Sequence, residues 1–227
     1  MIGSDVYIIL RAKGVDTLHH ANTVTTSCTF LRLGCLASRG HVHDRRLPQT
    51  PQYSDEADKR LGIWYDVFMD GVDIHARGSI RNNYGPVLFM LSATILLNLP
   101  SGTDVLVTRR NPVHGQCADK PADRDFMSPQ ELLDCYQYGD FGQHVVPRTQ
   151  DGFLPLDGSP LCLLLDDPQC ALYGGADAYS RSVQRLTCAA NEGSLVVDII
   201  RRQCRPWCRC LSGHKLSYDE TNLEFWF

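Results

Sequence analysis

The sequence predicts one α/β domain over residues 1–227, built of several short strands and few helices. Three observations carry this reading. Short apolar runs bounded by Gly, Pro, Asn and Asp recur along the chain, which is the pattern of buried strands rather than of long helices. Two places carry helix-start chemistry: the threonines that follow Asn22, and Ser128-Pro129-Gln130-Glu131, with serine as cap and proline at the first helical position. No repeat, low-complexity tract or linker divides the chain, and its length is enough for one good-sized core.

Asp5 to Leu10 reads as a first apolar strand. Leu18 to Gly34 reads as a polar strand end leading into a short helix. Asn22 and the threonines can satisfy its free N–H groups, Phe30, Leu31 and Leu33 give it an apolar stripe, and Gly34 stops it. Ser38-Arg39-Gly40 follows. His41 to Ala57 is polar, proline-containing and aperiodic, too long for a plain connector. Ile63 to Asp70 reads as a strand, His75 to Asn83 as a charged loop, and Val87 to Leu91 and Asp104 to Thr108 as strands. The helix begun at Ser128 is expected to reach Tyr138. Strands are expected at His144–Pro147 and Leu161–Leu165, a helix at Ala176–Asn191, and a strand or helix at Leu195–Ile200.

Hydrophobic residues make up 43% of the chain and charged ones 21%, as in ordinary globular proteins. The net charge of −4 supplies no global field for nucleic acid, so any such contact must come from a local patch. The longest apolar run, Pro86 to Pro100, is interrupted by Ser92, Thr94 and Asn98 and is too short to span a bilayer, so no membrane partner is expected. No cationic-then-apolar leader opens the sequence, which points to a cytoplasmic protein. Its ten cysteines are then expected to be reduced and used as small hydrophobes. Cys204, Cys208 and Cys210, with His214 nearby, form the one cluster. Its C-x3-C-x-C spacing is not that of a standard zinc knuckle, and no metal is expected.

Several chemistries find no support. There is no Gly-rich phosphate loop, no Gly-x-Ser-x-Gly elbow and no His-Glu-x-x-His. His41 and His43 lie two apart and read as part of a solvated loop rather than a metal set. Asp166-Asp167-Pro168 reads first as a turn with Asp side chains capping amides. Taken alone, His20 ahead of a capped helix is also what an ordinary helix entry looks like.

A pattern across the chain says more. His20 precedes Gly34 by fourteen positions with a helix between. Arg60 precedes the aromatic segment Trp64 to Phe68. His75-Ala-Arg77 leads into Arg81-Asn-Asn-Tyr-Gly-Pro-Val-Leu-Phe89, and Phe141-Gly142-Gln143 opens an apolar strand ending at Pro147. From His20 to Leu165 this arrangement resembles the DarT-type ADP-ribosyltransferases, toxins that modify nucleic acid. The resemblance departs at Asn22, where the family usually has threonine, and at Gln143, where it has the catalytic glutamate.

The resemblance implies an ADP-ribosyltransferase-like fold, with short mixed and antiparallel strands in a split sheet and flanking helices. It implies a mono-ADP-ribosyltransferase that uses NAD as substrate and needs no metal. Its acceptor would be a base of single-stranded DNA or RNA, and its partner a neutralising antitoxin protein in a toxin–antitoxin or anti-phage system. His20, Asn22, Thr26 and Arg60 would bind NAD, with Arg60 on the pyrophosphate. The catalytic set would be His20, Arg60 and position 143, where a glutamate would stabilise the ribosyl cation. His75, Arg77, Arg81 and Asn82 would meet the nucleic acid, and Arg201, Arg202, Arg205, Arg209 and Lys215 form a second basic track. Gln143 leaves three readings open: a Glu→Gln inactivated variant, a glutamate supplied from elsewhere (Glu131 or Glu192), or a non-catalytic NAD- or nucleic-acid-binding relative. The same fold acting on a protein acceptor is a further alternative.

Overall fold

The structure, a computed structural model, describes residues 1–75, 83–116, 119–156, 161–172, 174–205, 207–208 and 226–227. It opens with a helix, α1 (Gly3–Ala12), where the sequence suggested a strand. The buried side chains Val6, Ile9 and Leu10 are three and four residues apart and share one helical face, a spacing that a six-residue apolar run does not reveal.

β1 (Thr17–Asn22) follows and becomes a central strand. α2 (Val24–Leu33) starts as expected: Thr23 is its cap, its hydroxyl accepting from the Thr26 N–H at 3.3 Å. Gly34 ends it with φ 66°, a left-handed geometry that costs glycine little. β2 (Cys35–Ala37) leads to α3 (Arg39–Asp44), capped by Ser38. α4 (Asp55–Arg60) comes next, so the segment read as an aperiodic loop holds the end of one short helix and the start of another. Helices of six residues are too short to show a period. Of the strand expected over Ile63–Asp70, only β3 (Met69–Asp70) forms.

β4 (Val87–Ser92) and β5 (Asp104–Val107) lie where the apolar runs placed them. α5 (Pro121–Arg124) precedes α6 (Pro129–Cys135), which Ser128 caps from 3.2 Å while Glu131 accepts from the Met127 N–H at 2.7 Å. α6 stops three residues short of Tyr138. The last elements are β6 (His144–Arg148), β7 (Phe153–Pro155), β8 (Leu161–Asp167), α7 (Ala178–Glu192) and β9 (Val197–Gln203).

Among the described residues the main sheet runs β5-β6-β3-β1-β4-β8-β9, and β2 and β7 pair separately. Every neighbouring pair is antiparallel except β8–β9, which is parallel and joined through α7. The fold is therefore mixed α/β, with a mostly antiparallel, split sheet and flanking helices. The core lies between the sheet and the helices. Phe30 and Leu31 of α2 are buried there with Leu18 of β1, Phe89 of β4 and Leu163 and Leu165 of β8. No helix of the described residues is long and apolar enough to cross a membrane.

The short β3 matters for the site. It meets β1 through one residue pair, His19 with Asp70, whereas β1 pairs with β4 over its whole length. Next to β3, residues 63–68 leave the sheet and a cleft opens between β1 and α3.

Candidate functional site

The cleft encloses about 840 Å³ including its open mouth. β1 contributes His20 and Asn22, β3 and its approach Phe68 and Asp70, α3 Arg39, and β6 His144. Trp64, Tyr84 and Phe30 add flat apolar surface.

The hydrogen bonds fix the tautomer of His20. Its Nδ1–H donates to the Phe68 carbonyl at 2.8 Å. Its Nε2 therefore accepts, and the Asn22 amide Nδ2 lies 3.4 Å away. Asn22 is held at its other end, where Oδ1 accepts from the Thr23 N–H at 3.0 Å. The two side chains thus orient each other, and the Asn22 amide keeps one hydrogen for a ligand. Phe30 and Phe89 flank the His20 ring at 5.6 and 6.3 Å between centroids. Burial lowers the pKa of His20 and, on the other side of β1, that of His19, because a charged ring loses water there.

Gly85, just before β4, makes this corner possible. Its φ is 138°, and a Cβ there would lie 2.3 Å from the Asn22 carbonyl oxygen. Backbone passes so close behind Asn22 that only glycine fits.

Neutral His20 has a consequence for pH. A histidine whose pKa falls on folding stabilises the protein fully above its unfolded pKa of 6.5, and that contribution is lost as pH falls toward the folded value. Thermal unfolding is expected to show the melting temperature falling between about pH 7 and about pH 5.5. His20→Gln should flatten part of that fall. An identical pH profile for the variant would show that His20 takes no part.

Arg39 is the guanidinium of the cleft. Its side chain is 14% exposed. Nη2 donates to Asp55 Oδ2 at 2.7 Å and to the Thr50 carbonyl at 3.1 Å, and Nε donates to the other Asp55 oxygen. Among the described residues, Nη1 is buried without a hydrogen-bond partner. A buried N–H without an acceptor is costly and rare, so Nη1 is the part of the Arg39 guanidinium with hydrogen bonds still to make. Trp64 lies beneath, its ring centroid 5.7 Å from the Arg39 guanidinium carbon.

Three carboxylates line the cleft: Asp58, Asp66 and Asp70. Asp66 is committed to Arg148 through two hydrogen bonds of 3.0 and 2.8 Å. Burial raises the pKa of Asp58, which is also hydrogen-bonded to Ser54. Asp70 Oδ1 lies 2.9 Å from Nδ1 of the buried His144. Phe68 meets the His144 ring edge-on at 5.7 Å. Asp70, His144 and His20 thus gather at one part of the lining.

The structure places the residues singled out in the sequence as follows. His20 and Asn22 lie on the lining together. Thr26 does not; it is buried one turn into α2, where its hydroxyl accepts from the Thr50 N–H at 2.9 Å and holds that segment to the helix. Arg60 is exposed at the end of α4 and off the lining, and Arg39 is the arginine on it. Gln143 is 6% exposed, and its Oε1 accepts from the Gln137 N–H at 2.8 Å. The adjacent His144, not Gln143, lines the cleft. Glu131 is paired with Arg109 and Glu192 with Arg32, both away from the lining.

His75 is bound to Asp166 and Cys208, off the cleft. Arg77, Arg81 and Asn82 lie outside the described residues, as do Arg209, Cys210, His214 and Lys215. Arg201 is neutralised by Asp167 and Arg202 by Asp166 and Asp73, which reduces the second basic track to internal ion pairs at these two positions. Sequence reasoning missed Arg39 as the cleft cation. The available signal was its place directly after a serine cap, at the exit of the strand that follows Gly34.

No protein-family profile and no curated protein sequence matches the chain. Among solved structures, it is similar to DarT from Thermus sp. 2.9 in complex with ADP-ribosylated ssDNA. The alignment covers 83% of this chain and 95% of that chain at 12% identity, with a TM-score of 0.50. At that identity the likeness is one of fold, and the fold is DarT-like.

Proposed function

We propose that the protein is a mono-ADP-ribosyltransferase that binds NAD in this cleft and transfers ADP-ribose to a nucleic-acid base. The observation that carries the reading is the buried, unpartnered Nη1 of Arg39 in a cleft shared with the ordered His20–Asn22 pair. A planar guanidinium suits a pyrophosphate, and a neutral imidazole beside an amide suits ribose hydroxyls. The DarT-like fold supports the reaction class, and the ssDNA in that neighbour supports a nucleic-acid acceptor. DNA and RNA remain alternative acceptors, and a neutralising antitoxin and a cytoplasmic location belong to the same reading.

Transfer breaks the bond from ribose C1′ to the nicotinamide nitrogen and forms one to the acceptor. The electron pair leaves with nicotinamide, and positive charge develops on the ribose. Asp70 is the carboxylate we assign to that charge, since Asp66 is held by Arg148, burial disfavours the charged form of Asp58, and Gln143 carries no charge. The proton of the attacking base nitrogen passes to a carboxylate or to solvent.

One observation favours a second reading. Gln143 is turned toward the backbone of Gln137, which suits a binding module without catalysis. Labelled NAD incubated with the purified protein and single-stranded DNA or RNA separates the two. Nicotinamide release with label that nuclease removes and protease leaves is the expected result. NAD binding without release would establish the binding module, and protease-sensitive label a protein acceptor.

A further inference from the structure

We propose that His75, Cys204 and Cys208 form a metal site that takes a thiophilic divalent cation, zinc by preference. The three residues are far apart in sequence, His75 from the two cysteines, yet their ligand atoms all lie within 4.8 Å of one another. His75 Nε2 is 3.1 Å from Cys208 Sγ. Bond lengths of about 2.0–2.3 Å around a tetrahedral zinc put its ligand atoms about 3.5–3.8 Å apart. Small side-chain movements would bring the set to that spacing.

The surroundings resemble those of a ligand histidine. Metal-bound imidazoles usually give their second N–H to a carboxylate, which fixes the ring and raises its basicity. Here Nδ1 of His75 is bound to Asp166, leaving Nε2 to face the cysteines. Asp166 is 3% exposed and is held in turn by Arg202, which also binds Asp73 two residues before His75. Backbone bonds fix the cysteine side. The Cys204 N–H donates to the Asp167 carbonyl at 2.9 Å, and the Cys208 N–H closes a turn on the Arg205 carbonyl at 2.9 Å.

Sequence spacing argued against zinc because it counted only the tail. The third ligand, His75, lies 129 positions before Cys204 and is brought to it by the sheet. The site joins the end of the β8–β9 pair to the segment after β3. A metal there would hold these two segments together. This role is independent of NAD binding and stands whether or not the protein is a transferase.

The test uses the tag-free full chain purified under reducing conditions. Elemental analysis is expected to find about one zinc per chain. After zinc removal, cobalt(II) should give the visible bands of a tetrahedral site and a thiolate-to-metal charge-transfer band. In the wild type, zinc should protect Cys204 and Cys208 from alkylation, and chelation should expose them, a measurement that needs no variant to fold. Cys204→Ser and Cys208→Ser should lose the charge-transfer intensity, Cys188→Ser should keep it, and Asp166→Asn should weaken metal affinity roughly 10- to 100-fold. A wild type without zinc and without cobalt bands would overturn the proposal. So would bands that persist in the Cys204→Ser, Cys208→Ser double variant, or a Cys204–Cys208 disulfide in the reduced protein.

Discussion

Replacing Arg39 by methionine is expected to lower NAD affinity roughly 10- to 100-fold, since a charge-assisted hydrogen bond is worth about 1.5–3 kcal/mol. Calorimetric titration with NAD measures it directly. Three of the guanidinium's hydrogen bonds are internal, to Asp55 and Thr50, and among the described residues the buried Nη1 has no partner. Arg39→Lys keeps the charge but not the planar fork, and should recover only part of the affinity. Methionine also leaves Asp55 without its partner, so Asp55→Asn is the needed companion. It loosens the same contact while keeping the guanidinium, and should cost much less affinity. Equal affinity in a folded Arg39→Met protein would remove the pyrophosphate site from this cleft. Arg60→Ala, at a position off the lining, should leave binding within about two-fold.

The second large effect is expected at Asp70. Asp70→Asn should slow nicotinamide release by roughly 100- to 1,000-fold with little change in NAD affinity, as expected for a group that acts on charge developed in the transition state. Gln143→Glu is its counterpart. Position 143 is buried beside Gln137 and off the cleft lining, so a carboxylate there should not accelerate the reaction. Single-turnover measurements on both variants decide between the positions. A slow wild type that Gln143→Glu accelerates, together with an active Asp70→Asn, would return the catalytic role to position 143.

Much of the fold was legible because its strands are apolar and short. Val87, Leu161 and their neighbours are buried on both faces of a central sheet and read as continuous apolar runs. Thr23, Gly34 and Ser128 each act as the local chemistry of helix ends requires. The failures have physical causes too. α1 carries its apolar face on few residues, and α3 and α4 are shorter than two turns. In the site, His20 and Asn22 were readable because they sit two apart on one strand and share a face. Arg39 was not, because its importance rests on what surrounds it in space: Asp55, Thr50, Trp64 and a nitrogen left over. The His75–Cys204–Cys208 cluster is a product of topology alone, since no local pattern links the end of β3 to the end of β9.

Strand β9 closes one side of the sheet, and no described strand pairs with its outer edge. Such an edge is a template for joining another molecule's strand, and Val196 and Ile200 along it are 77% and 44% exposed. Asp198 interrupts that apolar row with exposed charge, and Arg201 adds charge on the other face of the strand. Arg201 stays half-exposed while paired with the buried Asp167, so that pair holds a guanidinium at the rim, where charge works against edge-to-edge pairing.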